Sequence, residues 1–324
     1  HRIIGKLNIP VKNIIAVDIG GTNSRFAHFT VEDSGSLSCV DRVELKTANA
    51  SSLDPHYASM TAAIRGTGAE QLIFGEPWVL FNFGMTATNI ALPGGDANSG
   101  LSFHAYTLED ANVPVVMDQA QAWSKRTGGA LLGSEFGADP RPEFNNGIIA
   151  EFDRALIPWM YWAYNENTIG NLKAPPGQSE ADAVDAIVRP HPLAVGGTPT
   201  RLHYQLAERV MRFTWDTTGP DGTQSPADTE SVFQVAPRTY PKGYKVLTVG
   251  ATVTSTSNAA SLTVVADGSG DEPKVVVYPA DAEPPSLDFP EDQAAPSDDT
   301  APPPSPDSSL SAPDVAPLTP VFTG

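Results

Sequence analysis

The sequence predicts an α/β region followed by an all-β region, with a short N-terminal β-meander and a disordered C-terminal tail. Three patterns carry this prediction. Strand-like and helix-like stretches alternate over residues 71–162, which implies parallel strand pairing. Short β-rich runs separated by Pro, Gly and Asp turns fill residues 194–266, a spacing typical of an antiparallel sandwich. Basic residues end at Lys274, and an acidic, proline-rich stretch follows.

The N-terminal region, residues 1–50, is expected to form the β-meander because apolar and β-branched runs alternate with turn residues. Its predicted strands cover residues 13–19, 24–31 and 38–46. A helix is predicted next, over residues 54–66. Asp54 is its expected N-cap, because Pro55 follows at the first helical position and apolar residues then recur on one face.

The α/β region, residues 51–188, contains a strand that ends in a carboxylate. Its predicted strands cover residues 71–75, 101–106, 130–135 and 158–162. The helix-like stretches between the last three strands cover residues 116–127 and 148–155. In a barrel of parallel strands, catalytic groups lie at the C-terminal tips of the strands. Glu135 ends the third strand and is a candidate catalytic carboxylate; an ordinary acidic strand end is the alternative.

Charge and proline content separate the predicted sandwich, residues 189–267, from the predicted tail, residues 268–324. After Lys274 there is no Lys or Arg but nine Asp or Glu, and twelve of the 30 prolines lie from Pro279 onward. Such a segment buries too little apolar surface to offset the entropy lost on ordering. We therefore expect the tail to be disordered.

Composition also limits the classes of function. A net charge of −18 on 324 residues disfavours a nucleic-acid partner, because phosphate contacts need basic side chains. The single cysteine, Cys39, excludes an intrachain disulfide. No apolar run reaches the length of a membrane span, and no signal peptide is visible from His1 onward.

A glycine-bearing turn joins the first two predicted strands. Residues 18–25 (DIGGTNSR) resemble the first phosphate motif of bacterial glucokinases and other actin-like sugar kinases, a resemblance limited to about residues 12–50. The glycines would let backbone amides approach a phosphate, and the aspartate would hold Mg²⁺ through water. Its candidate ligands are Asp18, Gly20, Gly21, Thr22, Asn23 and Arg25. An ATP- and Mg²⁺-dependent sugar kinase is thus one alternative function, and a plain hairpin turn is the other interpretation.

Four strand ends in the α/β region carry a second resemblance. The matching runs are residues 74–82 (FGEPWVLFN), 103–106 (FHAY), 134–138 (SEFGA) and 158–164 (PWMYWAY). In this order they resemble the C-terminal half of a family 5 glycoside hydrolase, and within that clan an endoglycoceramidase. Residues 189–200 and 240–244 resemble the C-terminal domain of the same family, so the resemblance covers roughly residues 55–267.

The resemblance implies the C-terminal half of a (β/α)₈ TIM barrel followed by a β-sandwich. It also implies retaining hydrolysis of the bond between an oligosaccharide and ceramide, with no cofactor or metal. Glu135 would be the nucleophile, with Tyr106 as its hydrogen-bond partner. His104 would line the same sugar subsite, and Trp162 would be the platform under the sugar ring.

The second carboxylate of a retaining enzyme is less well matched. The family places its acid/base in an Asn-Glu-Pro run, and Glu76 follows Gly75 where the asparagine would stand. Glu76 is therefore one candidate acid/base. The other interpretation is that the true acid/base has no counterpart in this chain.

The resemblance extends to partners and location. It implies a glycolipid or oligosaccharide substrate, contact of the sandwich with a lipid surface, and a secreted or cell-surface location. A non-catalytic carbohydrate-binding protein that keeps Trp162 and the sandwich is a further alternative. The sequence alone does not decide between the two enzymes, a glycosidase and a sugar kinase, and the non-catalytic binding protein.

The predicted barrel part has only four strand–helix units, whereas a closed barrel takes about 250 residues. An unclosed barrel exposes strand edges and apolar faces. We therefore expect the N-terminal meander to cover the open edge or two chains to associate through it. Size-exclusion chromatography with light scattering measures the second outcome, and cross-linking measures the first. A compact, stable monomer without meander–barrel cross-links would contradict the expectation.

Overall fold

A computed structural model describes residues 13–19, 23–31, 37–46, 53–106, 112–137, 141–163, 181–268 and 272–290. The helices are α1 (Leu53–Gly66), α2 (Asn112–Thr127), α3 (Pro142–Ala155) and α4 (Ala181–Ile187). The strands are β1 (Asn13–Ile19), β2 (Asn23–Val31), β3 (Leu37–Lys46), β4 (Ile73–Gly75), β5 (Ser99–His104), β6 (Ala130–Glu135), β7 (His191–Ala194), β8 (Thr198–Gln205), β9 (Val210–Asp216), β10 (Glu230–Gln234), β11 (Tyr244–Val249), β12 (Ala251–Val253), β13 (Ser261–Ala266) and β14 (Lys274–Pro279). Within these ranges no helix has the length and apolar character needed to cross a bilayer.

The N-terminal strands form an antiparallel sheet in the order β1-β2-β3. The predicted meander is confirmed, and its strand boundaries differ from the prediction by at most one residue. In the register of β1 and β2, Asp18 pairs with Arg25. The turn between them, Gly20, Gly21 and Thr22, lies outside the described residues, so the phosphate-binding turn stays a prediction.

The middle of the chain forms a parallel sheet in the order β4-β5-β6, as the alternation of strands and helices predicts. The predicted fourth strand, residues 158–162, runs parallel to β6 but pairs with it only through a bridge at Trp159. Gly133 N donates to Pro158 O, and Met160 N donates to Gly133 O, both at 2.8 Å. The C-terminal ends of these segments therefore meet at one edge of the sheet.

Aromatic packing holds the helices against this sheet. The ring centroid of Phe103, on β5, lies 6.0 Å from that of Phe152, on α3, and 5.8 Å from that of Phe81. All three rings are fully buried, and each such burial contributes about 1.5–3 kcal/mol. A Cβ on Gly133 would collide with the Phe152 ring. The glycine in β6 is therefore what lets α3 lie directly on the strand that carries Glu135.

Helix α1 begins one residue earlier than predicted, which corrects the expected role of Asp54. Because the helix starts at Leu53, Asp54 lies inside its first turn instead of capping it. The Asp54 carboxylate accepts a hydrogen bond from Ala91 N at 3.0 Å. The side chain thus ties α1 to a distant loop, a contact that local sequence cannot indicate.

The C-terminal part contains two four-stranded antiparallel sheets, in the orders β12-β13-β10-β7 and β11-β14-β9-β8. Buried side chains from both sheets form one core. The rings of Phe213, on β9, and Phe233, on β10, meet edge to face with centroids 5.3 Å apart. The two sheets therefore face each other across shared apolar packing.

Strand β14 corrects the predicted start of the tail. The sequence predicts disorder from residue 268, yet β14 lies between β11 and β9 within its sheet. Its valines, Val275, Val276 and Val277, are fully buried. β-Branched residues favour strands, and burial on both faces of the sheet outweighs the acidic and proline-rich surroundings. Residues from 291 onward lie outside the described residues.

A buried ion pair joins α3 to the C-terminal sheets. Arg189 Nη1 donates to Asp153 Oδ2 at 3.2 Å, and both side chains are almost completely buried. Arg189 also donates to Ala186 O and to Asn146 Oδ1, both at 2.9 Å. Its guanidinium lies 4.8 Å from the ring centroid of Tyr204, on β8. Burial raises the pKa of Asp153 to about 6, although Arg189 opposes this shift.

We expect the substitution Arg189→Met to lower the free energy of unfolding by about 3–5 kcal/mol, because it leaves Asp153 buried without its partner. The control, Arg154→Met, removes exposed ion pairs to Glu151 and Asp118 and should cost about 1 kcal/mol or less. Urea unfolding at neutral pH measures both. Equal effects of the two substitutions would contradict the assignment of the Asp153–Arg189 pair as a central contact.

Candidate active site

Glu135 lies at the C-terminal tip of β6, where the pairing with β5 is irregular. Phe103 pairs with Gly133 and His104 pairs with Glu135, so Ser134 is the extra residue of a β-bulge. Bulges of this kind redirect side chains and are frequent beside active sites. Ala105 N donates to Glu135 O at 2.8 Å. The strand register thus places the Glu135 carboxylate directly beside the His104 imidazole.

Two side chains from the β5 segment contact the same oxygen of Glu135. Tyr106 Oη donates to Glu135 Oε2 at 3.2 Å, and His104 Nδ1 lies 3.3 Å from that atom. Burial and the Glu135 charge hold the pKa of Tyr106 above its ordinary value, so its hydroxyl stays a donor at neutral pH. Hydrogen bonds to an ionised acceptor are among the stronger ones. The two contacts hold the Glu135 carboxylate in a fixed orientation.

The other ring nitrogen of His104 contacts the second carboxylate. His104 Nε2 lies 3.1 Å from Glu76 Oε1. A neutral imidazole carries one N–H, so only the protonated ring can donate to both carboxylates. Burial lowers the pKa of His104, but the hydrogen bond to Glu76 and the charges of Glu76 and Glu135 outweigh it and raise the pKa overall. His104 is thus a cationic bridge between the two carboxylates when it is protonated.

The backbone of Glu76 is held by a single buried hydroxyl. Tyr57 Oη, on α1, donates to Glu76 O at 2.6 Å and accepts from Glu76 N at 2.7 Å. Burial raises the pKa of Tyr57 to about 12, so the hydroxyl keeps its proton. The Glu76 side chain is 46% exposed, and its Oε1 also lies 3.4 Å from Ser102 Oγ. Its assignment as acid/base stays a prediction.

Trp162 lies on the segment next to β6, just beyond Glu135. Its backbone N donates to Phe136 O at 2.8 Å, and the residue as a whole is 57% exposed. Gly137 has a φ of +119°, and a Cβ there would lie 2.5 Å from the Tyr161 ring and 2.8 Å from Trp162 O. Glycine therefore allows the two segments to approach closely. The exposed indole presents an aromatic face of the kind that packs on sugars.

Asn82 is a site residue that sequence reasoning missed. It is buried within the 3₁₀ turn Val79–Phe83. Its Oδ1 accepts from His104 N at 3.0 Å, and its carbonyl accepts from Tyr106 N at 3.3 Å. Asn82 thereby fixes the backbone of both residues that contact Glu135. One amide side chain inside an otherwise apolar run (VLFNF) is the signal that could have indicated it.

Other parts of the chain do not add to this site. Among the described residues, no three His, Cys, Asp or Glu side chains converge in a way that could hold a metal ion. An apolar cavity of about 540 Å³ lies between the end of α3 and the C-terminal sheets, with Phe152, Leu156 and Leu202 in its wall. None of the five residues predicted for glycosidase chemistry lines this cavity.

Two family models match the chain. The model described as Cellulase (glycosyl hydrolase family 5) matches residues 40–168, which include Glu76, His104, Glu135 and Trp162. The model described as Glycoside hydrolase family 5 C-terminal domain matches residues 189–277, which cover most of the two C-terminal sheets.

Individual relatives agree with these matches. Endoglycoceramidase I of Rhodococcus hoagii (strain 103S) is 32% identical over 164 residues, which are 50% of this chain and 27% of that protein. Endo-glycoceramidase II from Rhodococcus sp., solved as a lactosyl-enzyme intermediate, has a TM-score of 0.56 at 19% identity. Its complex with ganglioside GM3 has the same TM-score at 18% identity. Each alignment covers 70% of this chain and 54% of the solved one.

A more distant fold neighbour is sterylglucosidase 1 of Cryptococcus neoformans, with a TM-score of 0.51 at 11% identity, covering 70% of this chain and 44% of that one. The chain therefore spans about a quarter of the curated relative and about half of the solved endo-glycoceramidase. At these identities the structural likeness establishes a shared TIM-barrel-like fold.

We expect His104 to titrate above its ordinary pKa of 6.5 in a ¹⁵N NMR pH titration, and Glu135→Gln to lower that pKa by removing one negative neighbour. A folded-state pKa above the unfolded value stabilises the fold below the unfolded pKa, and this contribution is lost as pH rises through the folded pKa. The stability difference between the unsubstituted protein and His104→Asn should therefore shrink as pH rises above about 6.5. A His104 pKa unaffected by Glu135→Gln would contradict the electrostatic pairing.

Proposed function

We propose that this chain, which carries a cellulase-type segment and a C-terminal domain of glycoside hydrolase family 5, acts as a retaining glycosidase with Glu135 as its nucleophile. The observation that carries the proposal is the Glu135 carboxylate at a parallel strand tip, with Tyr106 and His104 on one of its oxygens. Both contacts are made to Oε2, so in the proposed reaction Oε1 is the attacking atom.

In this reaction Glu135 forms a bond to the anomeric carbon as the bond to the leaving-group oxygen breaks. Water then hydrolyses the glycosyl-enzyme and frees the carboxylate. Tyr106 and His104 stabilise the charge on Glu135 and hold its orientation. Trp162 packs under the sugar ring. The lactosyl-enzyme intermediate of endo-glycoceramidase II supports a covalent route, and family 5 glycosidases act without cofactors.

The proposed substrate is a glycolipid, cleaved between its oligosaccharide and ceramide. The 32% identity to an endoglycoceramidase over half of this chain supports this assignment. The fold shared with an enzyme solved with ganglioside GM3 is consistent with it. Contact of the C-terminal sheets with a lipid surface and a secreted or cell-surface location are proposed together with this substrate.

The proposed architecture is the C-terminal half of a (β/α)₈ barrel packed on a β-sandwich. Three parallel strands, the segment at residues 158–162 and the 54% coverage of the solved relative support it. A retaining site also needs a second carboxylate about 5–5.5 Å from the nucleophile. We do not assign that acid/base to Glu76, because its Oε1 already contacts His104 and Ser102.

The sugar-kinase alternative gains no support from these comparisons. An experiment can distinguish a non-catalytic sugar-binding protein from the proposed glycosidase. A 2,4-dinitrophenyl 2-deoxy-2-fluoro-β-glucoside or lactoside releases a leaving group that needs no proton. Its covalent capture therefore needs the nucleophile but no general acid. This makes it suited to a chain whose acid/base is unassigned.

We expect mass spectrometry to find one fluoroglycosyl group on the peptide that contains Glu135. Glu135→Gln should abolish labelling, and Trp162→Ala should slow it about tenfold, equivalent to about 1.4 kcal/mol of lost sugar packing. Glu151→Gln, on the surface of α3, is the matched control and should label normally. Sugar binding without labelling would select the binding protein, and ADP formation from ATP and glucose would select the kinase.

A further inference from the structure

The Glu76 carboxylate contacts the opposite ring nitrogen of His104 from the one that faces Glu135. His104 Nε2 lies 3.1 Å from Glu76 Oε1, and His104 Nδ1 lies 3.3 Å from Glu135 Oε2. We propose that Glu76 is a positioning residue that orients the His104 imidazole against Glu135 and does not protonate the leaving group. The inference rests on the proposed role of Glu135 as nucleophile and extends it.

The backbone around Glu76 is built to hold one position. The Tyr57 hydroxyl engages both its N–H and its carbonyl, at 2.7 and 2.6 Å. At the preceding Gly75, a Cβ would lie 2.9 Å from Pro93 Cγ and 3.2 Å from the Tyr57 ring. An asparagine does not fit at residue 75 without moving these neighbours. The segment is therefore shaped to fix Glu76, and it differs from an Asn-Glu-Pro run for a steric reason.

The Glu76 carboxylate is directed at groups on β5. Besides His104 Nε2, its Oε1 has Ser102 Oγ at 3.4 Å, and Ser102 Oγ lies 2.6 Å from Ser134 Oγ in the β6 bulge. A general acid must present its proton to the glycosidic oxygen. Oε1 instead faces the imidazole, so the geometry is that of a carboxylate that orients a histidine.

A backbone hydrogen bond fixes the position of His104, but the orientation of its imidazole ring depends on the polar groups around it. Asn82 fixes the His104 N–H, and the Tyr106 ring meets the imidazole edge to face with centroids 5.8 Å apart. The ionisable groups that face the ring are Glu76, Glu135 and Tyr106. Of these, Glu76 alone contacts Nε2. Its removal leaves ring rotation unopposed on that side and weakens the contact of Nδ1 with Glu135.

The activated fluoroglycoside separates the two roles of Glu76. Because its leaving group needs no proton, loss of an acid/base leaves the labelling rate of Glu135 near normal. Loss of a positioning residue slows labelling. We expect Glu76→Ala to slow it about tenfold and Glu76→Gln, which keeps a hydrogen-bond acceptor, to recover most of the rate. The control is Glu70→Ala, which removes an exposed carboxylate just before β4 and should label normally.

A second readout does not depend on labelling. In Glu76→Ala the ¹⁵N titration of His104 should move down by about one pH unit, with an unchanged urea midpoint as the test of folding. If the fluoroglycoside labels no residue of the protein, the proposed glycosidase function fails. The change in the pKa of His104 still tests whether Glu76 positions the imidazole. An unshifted His104, or normal labelling of Glu76→Ala with azide rescue of its turnover, would overturn the positioning role.

Discussion

The register between β5 and β6 is the constraint on which the candidate site depends. The bulge at Ser134 sets His104 opposite Glu135, and Gly133 leaves room for the Phe152 ring of α3 on the same strand. Backbone pairing with β5 therefore fixes one edge of β6, and the Phe152 ring packs against one of its faces. A shift of one residue would turn Glu135 to the opposite face of the sheet. The chemistry of the site is thus a result of sheet geometry.

The position of Glu135 could be predicted from a general rule, whereas His104 and Tyr106 were predicted from the family resemblance. His104, Tyr106 and Glu135 all follow or end parallel strands, and such ends share one edge of a sheet. The supporting residues obey no such rule. Tyr57 reaches Glu76 from a helix nineteen residues earlier, and Asn82 reaches His104 from a 3₁₀ turn. These contacts depend on how distant segments pack together in the folded chain. The periodicity and spacing of residues in the sequence do not show this.

The same contrast between local sequence and tertiary packing explains where the predicted and observed strands differ. The strand at residues 130–135 matches its prediction, because a short apolar run starts it and the carboxylate of Glu135 ends it. Strand β7 was not predicted, since Pro192 lies within it, and prolines are rare inside strands. The average composition of the long acidic segment predicts a disordered tail where β14 lies. Three buried valines outweigh that average locally.

The Asp153–Arg189 pair has a consequence for how this protein can be divided. The family matches end at residue 168 and resume at residue 189, which suggests two separable modules. The pair crosses that boundary, with one charge on α3 and its partner at the entry to the C-terminal sheets. Cutting the chain there would strand a charge in an apolar interior on one side. The two matched segments should therefore be expressed, or exchanged between proteins, together.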